Sequence, residues 1–141
     1  MIKYHICLIF ATSPTLQSQD LKNSLKKLKE SNKALFCLSV TKFNVTVLKA
    51  LSENKKGFLT PLFKKKIKAR SQDLGEFYHE AGQFMWIKKE ALTKKKLVFG
   101  KENTIGYQLP QKYVQDVDRY DDWKELELKY EIYKKLQNAK R

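Results

Sequence analysis

Tyr4-His5-Ile6-Cys7-Leu8-Ile9-Phe10-Ala11 and Ala34-Leu35-Phe36-Cys37-Leu38-Ser39-Val40 are two apolar runs separated by a polar segment. Both are short, nearly uninterrupted and poorly alternating, the pattern of strands buried on both faces. Between them Thr12-Ser13-Pro14-Thr15 makes a turn. Ser18 or Gln19 then opens a helix to about Lys29, with Leu21, Leu25 and Leu28 at helical spacing. Ser31-Asn32 ends that helix. A strand, a helix and a second strand joined by short links predict a crossover unit, and hence an α/β fold with parallel strands.

Working outward, Val45-Thr46-Val47-Leu48 and Gly57-Phe58-Leu59-Thr60 are short strand candidates around a turn at Ser52-Glu53-Asn54-Lys55-Lys56. Phe63 to Glu80 is polar, basic and irregular, too long for an idle loop. Gln83 to Lys88 and Thr104 to Leu109 read as strands, with a short helical turn over Lys89 to Thr93. Val114 to Val117 reads as extended. Asp121 is placed as the N-cap of an amphipathic helix that carries Trp123, Leu126, Leu128, Tyr130, Ile132, Tyr133 and Leu136. The whole is read as one domain.

Composition narrows the function classes. The chain has 141 residues, is 42% hydrophobic and carries a formal net charge of +14. It is therefore globular rather than disordered. The run Ile6–Phe10 is too short to span a membrane and lacks the flanks of a signal peptide. A soluble, cytoplasmic protein with no membrane partner is expected. Cys7 and Cys37 lie inside apolar runs, as buried thiols of a reducing compartment do. Only three of the 29 basic residues are Arg, namely Arg70, Arg119 and Arg141. Base readers and phosphate clamps favour the guanidinium fork, so the charge is read as a solvated lysine face, with Lys64-Lys65-Lys66 and Lys94-Lys95-Lys96 at loops or element ends. No nucleic-acid partner is expected, although a basic nucleic-acid-binding protein is the reading that net charge alone would favour.

Several residues have chemistry to offer. Asp116 and Asp118 are two apart on an extended segment, so their carboxylates share a side and suit Mg²⁺, or else a solvated loop. Arg70 keeps a guanidinium where the chain elsewhere writes Lys, as recognition of a planar carboxylate requires; codon accident is the alternative. Tyr78, His79 and Gln83 surround Gly82, where a backbone could approach a ligand, or where the chain simply turns. Thr12 and Ser13 follow the carboxyl end of the first strand, the end at which open parallel sheets bind ligands.

In order along the chain, these blocks are similar to the acylneuraminate cytidylyltransferase family. The strand and loop Ile9-Phe10-Ala11-Thr12-Ser13-Pro14 resemble the start of the family's sugar site. Arg70-Ser71-Gln72-Asp73-Leu74 resembles its arginine-bearing segment. Gln115-Asp116-Val117-Asp118, with Asp122-Trp123 after it, resembles its metal-binding D-x-D and closing helix. Tyr78-His79-Glu80-Ala81-Gly82-Gln83-Phe84 looks closest to the pseudaminic acid branch, and so does Phe10 where N-acetylneuraminate enzymes tend to have Gln.

The resemblance implies the C-terminal part of a Rossmann-like nucleotidyltransferase: a mixed sheet, flanking helices and a protruding β-hairpin arm over about 45–80. It implies transfer of CMP from CTP to a nonulosonic acid, with Asp116 and Asp118 on the Mg²⁺ and Arg70 facing the sugar carboxylate. Thr12, Ser13, Gln72, Tyr78, His79 and Gln83 would bind the sugar. It also implies a homodimer joined through the arm. The family's opening strand and its glycine-, arginine- and lysine-rich phosphate loop find no counterpart, since the five Gly stand isolated at 57, 75, 82, 100 and 106. The chain is therefore expected to be N-terminally truncated or a split-gene product, with an unpaired apolar sheet edge. A non-catalytic remnant that binds sugar acid or a partner subunit is the competing expectation.

Overall fold

The computed structural model describes residues 4–93, 100 and 102–139, and the Lys94-Lys95-Lys96 run lies outside them. Its elements are β1 (His5–Ile9), α1 (Ser18–Glu30), β2 (Phe36–Lys42), β3 (Leu51–Glu53), β4 (Leu59–Pro61), β5 (Tyr78–Lys88), α2 (Lys89–Thr93), β6 (Thr104–Gln108) and α3 (Tyr120–Asn138). They form two compact units, one of residues 4–41 and 80–139 and the other of Lys42–His79.

The first unit is built on a four-stranded sheet of order β1-β5-β2-β6. β1 pairs antiparallel with β5, and β2 pairs parallel with β6. β5 runs opposite to β2: the Lys88 N–H donates to the Leu35 carbonyl, and the Ser39 hydroxyl accepts from the N–H groups of Gln83 (3.4 Å) and Phe84 (3.0 Å). The sheet is thus mixed, with helices beside it, as expected of an α/β fold. β1 and β2 point the same way, as the crossover predicts, but β5 lies between them.

Leu28, Ala34 and Cys37 make one core cluster, and Ala81, Phe84, Leu109 and Val114 make another; Trp86 and Tyr107 pack against both. Fully burying each large apolar side chain contributes about 1.5–3 kcal/mol. The polar groups within this core are matched. The Trp86 indole N–H donates to Ser24 Oγ at 3.1 Å, and the Ser24 hydroxyl donates to the Asp20 carbonyl at 2.6 Å. Burial pushes the Cys37 thiol up to about 11 and also raises Cys7, and both cysteines are free.

Three expectations are corrected. β1 is not buried on both faces: it is an edge strand, and Ile6 and Leu8 are each 45% exposed. Val45 to Leu48 is not a strand. Thr46 Oγ1 accepts from the Leu48 N–H and caps a 3₁₀ turn over Val47–Lys49, so the hairpin is made by β3 and β4 instead. Asp121 is not the N-cap of the last helix. Arg119 holds that position, and the Asp122 carboxylate reaches back to the N–H groups of Asp118 (3.1 Å) and Arg119 (2.8 Å). That helix is also less one-sided than its sequence suggests, because Leu126 is buried while Leu128 and Ile132 are exposed.

Ser39→Ala removes a hydroxyl that accepts from two adjacent N–H groups in a buried strand. It is expected to lower the unfolding free energy by about 1–3 kcal/mol, read from urea titrations. An unchanged midpoint would mean that β5 does not depend on this hydroxyl.

Candidate functional site

In the first unit, three segments meet at Gln83. Its side-chain amide donates to Thr15 Oγ1 at 3.1 Å and to the Tyr113 carbonyl at 2.7 Å, and the Thr15 hydroxyl donates to the same carbonyl at 2.6 Å. Gln83 and Thr15 are both buried. Both amide protons of Gln83 are therefore engaged inside the protein. Thr12 and Ser13 occupy the turn just before Thr15, half-buried, and the Ser13 hydroxyl donates to the Phe10 carbonyl.

Beyond Tyr113 the chain runs extended to the aspartates. Lys129 of α3 steadies it, donating to the Val114 carbonyl and to Gln115 Oε1, both at 2.7 Å. Asp116 then comes against Gly82, which has φ +60°, a left-handed conformation that favours glycine. A Cβ on Gly82 would lie 3.3 Å from Asp116 Oδ1, so the missing side chain is what admits the carboxylate. The G-Q-F and D-x-D blocks, far apart in sequence, are thus neighbours in the fold.

Asp116 and Asp118 are both exposed. Among the described residues neither carboxylate pairs with a Lys or Arg, and no group of three or more His, Cys, Asp or Glu side chains gathers as a complete metal cage would. Two unengaged hard-oxygen donors fit Mg²⁺, which binds through one or two carboxylates and fills its octahedron with water and phosphate oxygens.

The second unit carries Arg70, Gln72, Tyr78 and His79. Arg70 is exposed, and its Nε donates to Asp73 Oδ2 at 3.0 Å across a 3₁₀ turn over Ser71–Asp73. The two terminal guanidinium nitrogens have no partner among the described residues. Gln72 lines a cleft of about 350 Å³ together with Asn44, Thr46, Lys42 and Glu76. The Tyr78 hydroxyl donates to Glu76 Oε2 at 2.7 Å, and Glu76 also takes the Lys42 ammonium. The His79 ring lies against Phe43, with centroids 4.7 Å apart.

Sequence reasoning missed Lys42, Glu76, Thr15 and Tyr113. Lys42 offered one signal, its place at the carboxyl end of β2. Its hydrogen bond holds the Glu76 carboxyl below the usual carboxylate range, with the Tyr78 bond adding to it. The same carboxylate raises both the Lys42 ammonium and the Tyr78 phenol. Because the Glu76 pKa is depressed on folding, the bridge contributes fully above the ordinary carboxylate range and is lost as pH falls through the lowered value. The raised Lys42 value means that the bridge is lost at the alkaline end only as pH rises through it. Carbon-detected NMR titration should find the Glu76 carboxyl midpoint below that of a free glutamate. Lys42→Met should move it upward, and an unmoved midpoint would contradict the assigned cause.

No protein-family model matches the chain. Pseudaminic acid cytidylyltransferases from two strains of Campylobacter jejuni are each 28% identical to it over 128 residues, 91% of this chain. The chain is similar to pseudaminic acid cytidylyltransferases over nearly its whole length. The resemblance read from the motifs is borne out by these relatives. A Helicobacter pylori protein named pseudaminic acid cytidylyltransferase and UDP-2,4-diacetamido-2,4,6-trideoxy-beta-L-altropyranose hydrolase is 27% identical over 115 residues, 81% of this chain and 22% of its own length. The chain spans about half (54%) of the length of the C. jejuni relatives. No helix among the described residues is long and apolar enough to cross a membrane.

Proposed function

We propose that this chain supplies the sugar-binding and metal-binding part of a cytidylyltransferase that activates a nonulosonic acid, pseudaminic acid in first place, for cell-surface glycan synthesis in the cytoplasm. In the completed reaction the anomeric hydroxyl oxygen of the sugar attacks the α-phosphorus of CTP. The bond from that phosphorus to the bridging oxygen breaks, pyrophosphate leaves and the hydroxyl proton is released. The observation that carries this reading is the meeting of Gly82 with Asp116, in a chain similar to cytidylyltransferases over 91% of its length. The fold is read accordingly as part of a Rossmann-like nucleotidyltransferase.

Asp116 and Asp118 hold the Mg²⁺, which when bound neutralises the charge of the phosphates. Arg70 offers its two terminal nitrogens as a fork to the sugar carboxylate. Thr12, Ser13, Gln72, Tyr78 and His79 recognise sugar substituents. Gln83 is a positioning residue, since its amide protons are engaged by Thr15 and Tyr113. The isolated glycines leave the CTP phosphates to be cradled by residues outside this chain, and the hairpin arm over about 45–80 is the surface through which the enzyme dimerises. A non-catalytic sugar-acid binder is the second reading, favoured by the same scarcity of phosphate-loop glycines.

Pseudaminic acid is expected to bind the purified chain in calorimetry. Arg70→Ala should weaken binding at least about tenfold, roughly 1.4 kcal/mol, with Arg70→Lys falling between. Equal affinity for all three proteins would remove Arg70 from the site. Mn²⁺, used as a paramagnetic probe, is expected to broaden the NMR signals of Gly82 and Val117. Asp116→Asn combined with Asp118→Asn should abolish the broadening; if it persists, the metal is elsewhere.

A further inference from the structure

Asp122 and Lys129 stand seven residues apart on α3, two helical turns, so both side chains leave the same face, with the buried Leu126 between them. They take hold of the aspartate segment at opposite ends. Upstream, the Lys129 ammonium donates to the Val114 carbonyl and to Gln115 Oε1, both at 2.7 Å. Downstream, the Asp122 carboxylate accepts from the N–H groups of Asp118 (3.1 Å) and Arg119 (2.8 Å). Seven residues of helix rise about 10 Å, and the three steps from Gln115 to Asp118 cover about the same when extended. The two grips match in length, and helix and segment run side by side in opposite directions. Gln115 carries the upstream grip onto Asp116 itself: while its Oε1 accepts from Lys129, its Nε2 donates to the Asp116 carbonyl at 3.1 Å. Lys129 is half-buried, whereas the other lysines of α3, Lys124, Lys134 and Lys135, are exposed. As a bare charge, an ammonium so close to the aspartates would oppose a divalent cation. Its two bonds give it a different use.

We propose that Lys129, acting through Gln115, is a positioning residue for the Asp116 and Asp118 carboxylates, so that α3 sets the geometry of the cation site. This role rests on the assignment of the two aspartates to the metal. Mg²⁺ demands near-ideal octahedral geometry. Groups that orient metal ligands from behind are worth about 10- to 100-fold in affinity. Lys129 works through the backbone and Gln115, and Asp122 closes the far end of the same segment.

Mn²⁺ affinity of the purified full chain, followed by the electron paramagnetic resonance signal of the free ion, tests it without any turnover. Lys129→Met is expected to weaken binding at least about tenfold, and Lys129→Arg, which keeps the charge and the donors, to recover most of the loss. Gln115→Ala, which leaves α3 intact, should weaken binding about threefold or more. Lys135→Met removes the same charge from an exposed position on the same helix and should leave binding unchanged. A purely electrostatic role predicts the opposite sign for Lys129→Met, since loss of one cation tightens the binding of another. Unchanged or tighter binding in Lys129→Met therefore overturns the proposal; where that variant does not fold, unchanged binding in Gln115→Ala does so. Absence of binding by the wild type, or binding that survives Asp116→Asn combined with Asp118→Asn, overturns the metal assignment and this role with it. Binding that the double substitution abolishes but that is indifferent to Lys129 and Gln115 overturns the positioning role alone.

Discussion

Everything in the first unit that bears on chemistry depends on the buried amide of Gln83. One side chain fastens the loop after β1, through Thr15, and the segment after β6, through the Tyr113 carbonyl, to the middle of the sheet. Buried polar groups are costly when unpaired, and a network in which each donor finds an acceptor admits few alternative arrangements. With Tyr113 held, the chain can run only a short way before Asp116, and it meets the one glycine in β5. Gln83 thus fastens the start of the segment that carries the two carboxylates.

The same strand explains the fold's other property. β5 lies between β1 and β2 and pairs with both, so the crossover from β1 through α1 to β2 skips a place that a later strand fills. Its N–H groups at Gln83 and Phe84 donate to the Ser39 hydroxyl, just after Gly82 with its left-handed conformation. β1, pushed to the edge, has Cys7 in the core that Leu21 of α1 also joins, while Ile6 and Leu8 stay 45% exposed.

Periodicity made α1, β2, β6 and most of α3 legible, because their apolar spacing is local. The position of β5 between β1 and β2 was not, since strand order follows from contacts distant in sequence. The apolar run of β1 was misleading for a physical reason: a strand buried on both faces and a strand kept bare on one look alike in composition. At Val45–Leu48 β-branched residues suggested a strand, and the Thr46 hydroxyl prevailed by capping the backbone locally. In the candidate site the D-x-D and the glycine were each weak signs alone, and their adjacency appears only in the fold. Lys42 and Glu76 were hidden because one more lysine carries little information in a chain so rich in it.

The central claim is that this chain carries half of a nucleotidyl-transfer site, able to present sugar acid and metal but dependent on other residues for the CTP phosphates. Pyrophosphate release from CTP, Mg²⁺ and pseudaminic acid tests it most directly, measured for the folded chain alone and again with the remainder of a C. jejuni relative supplied. The account predicts no release from the chain alone and release from the pair. Turnover by the chain alone would contradict it, and so would silence from a pair that forms a complex.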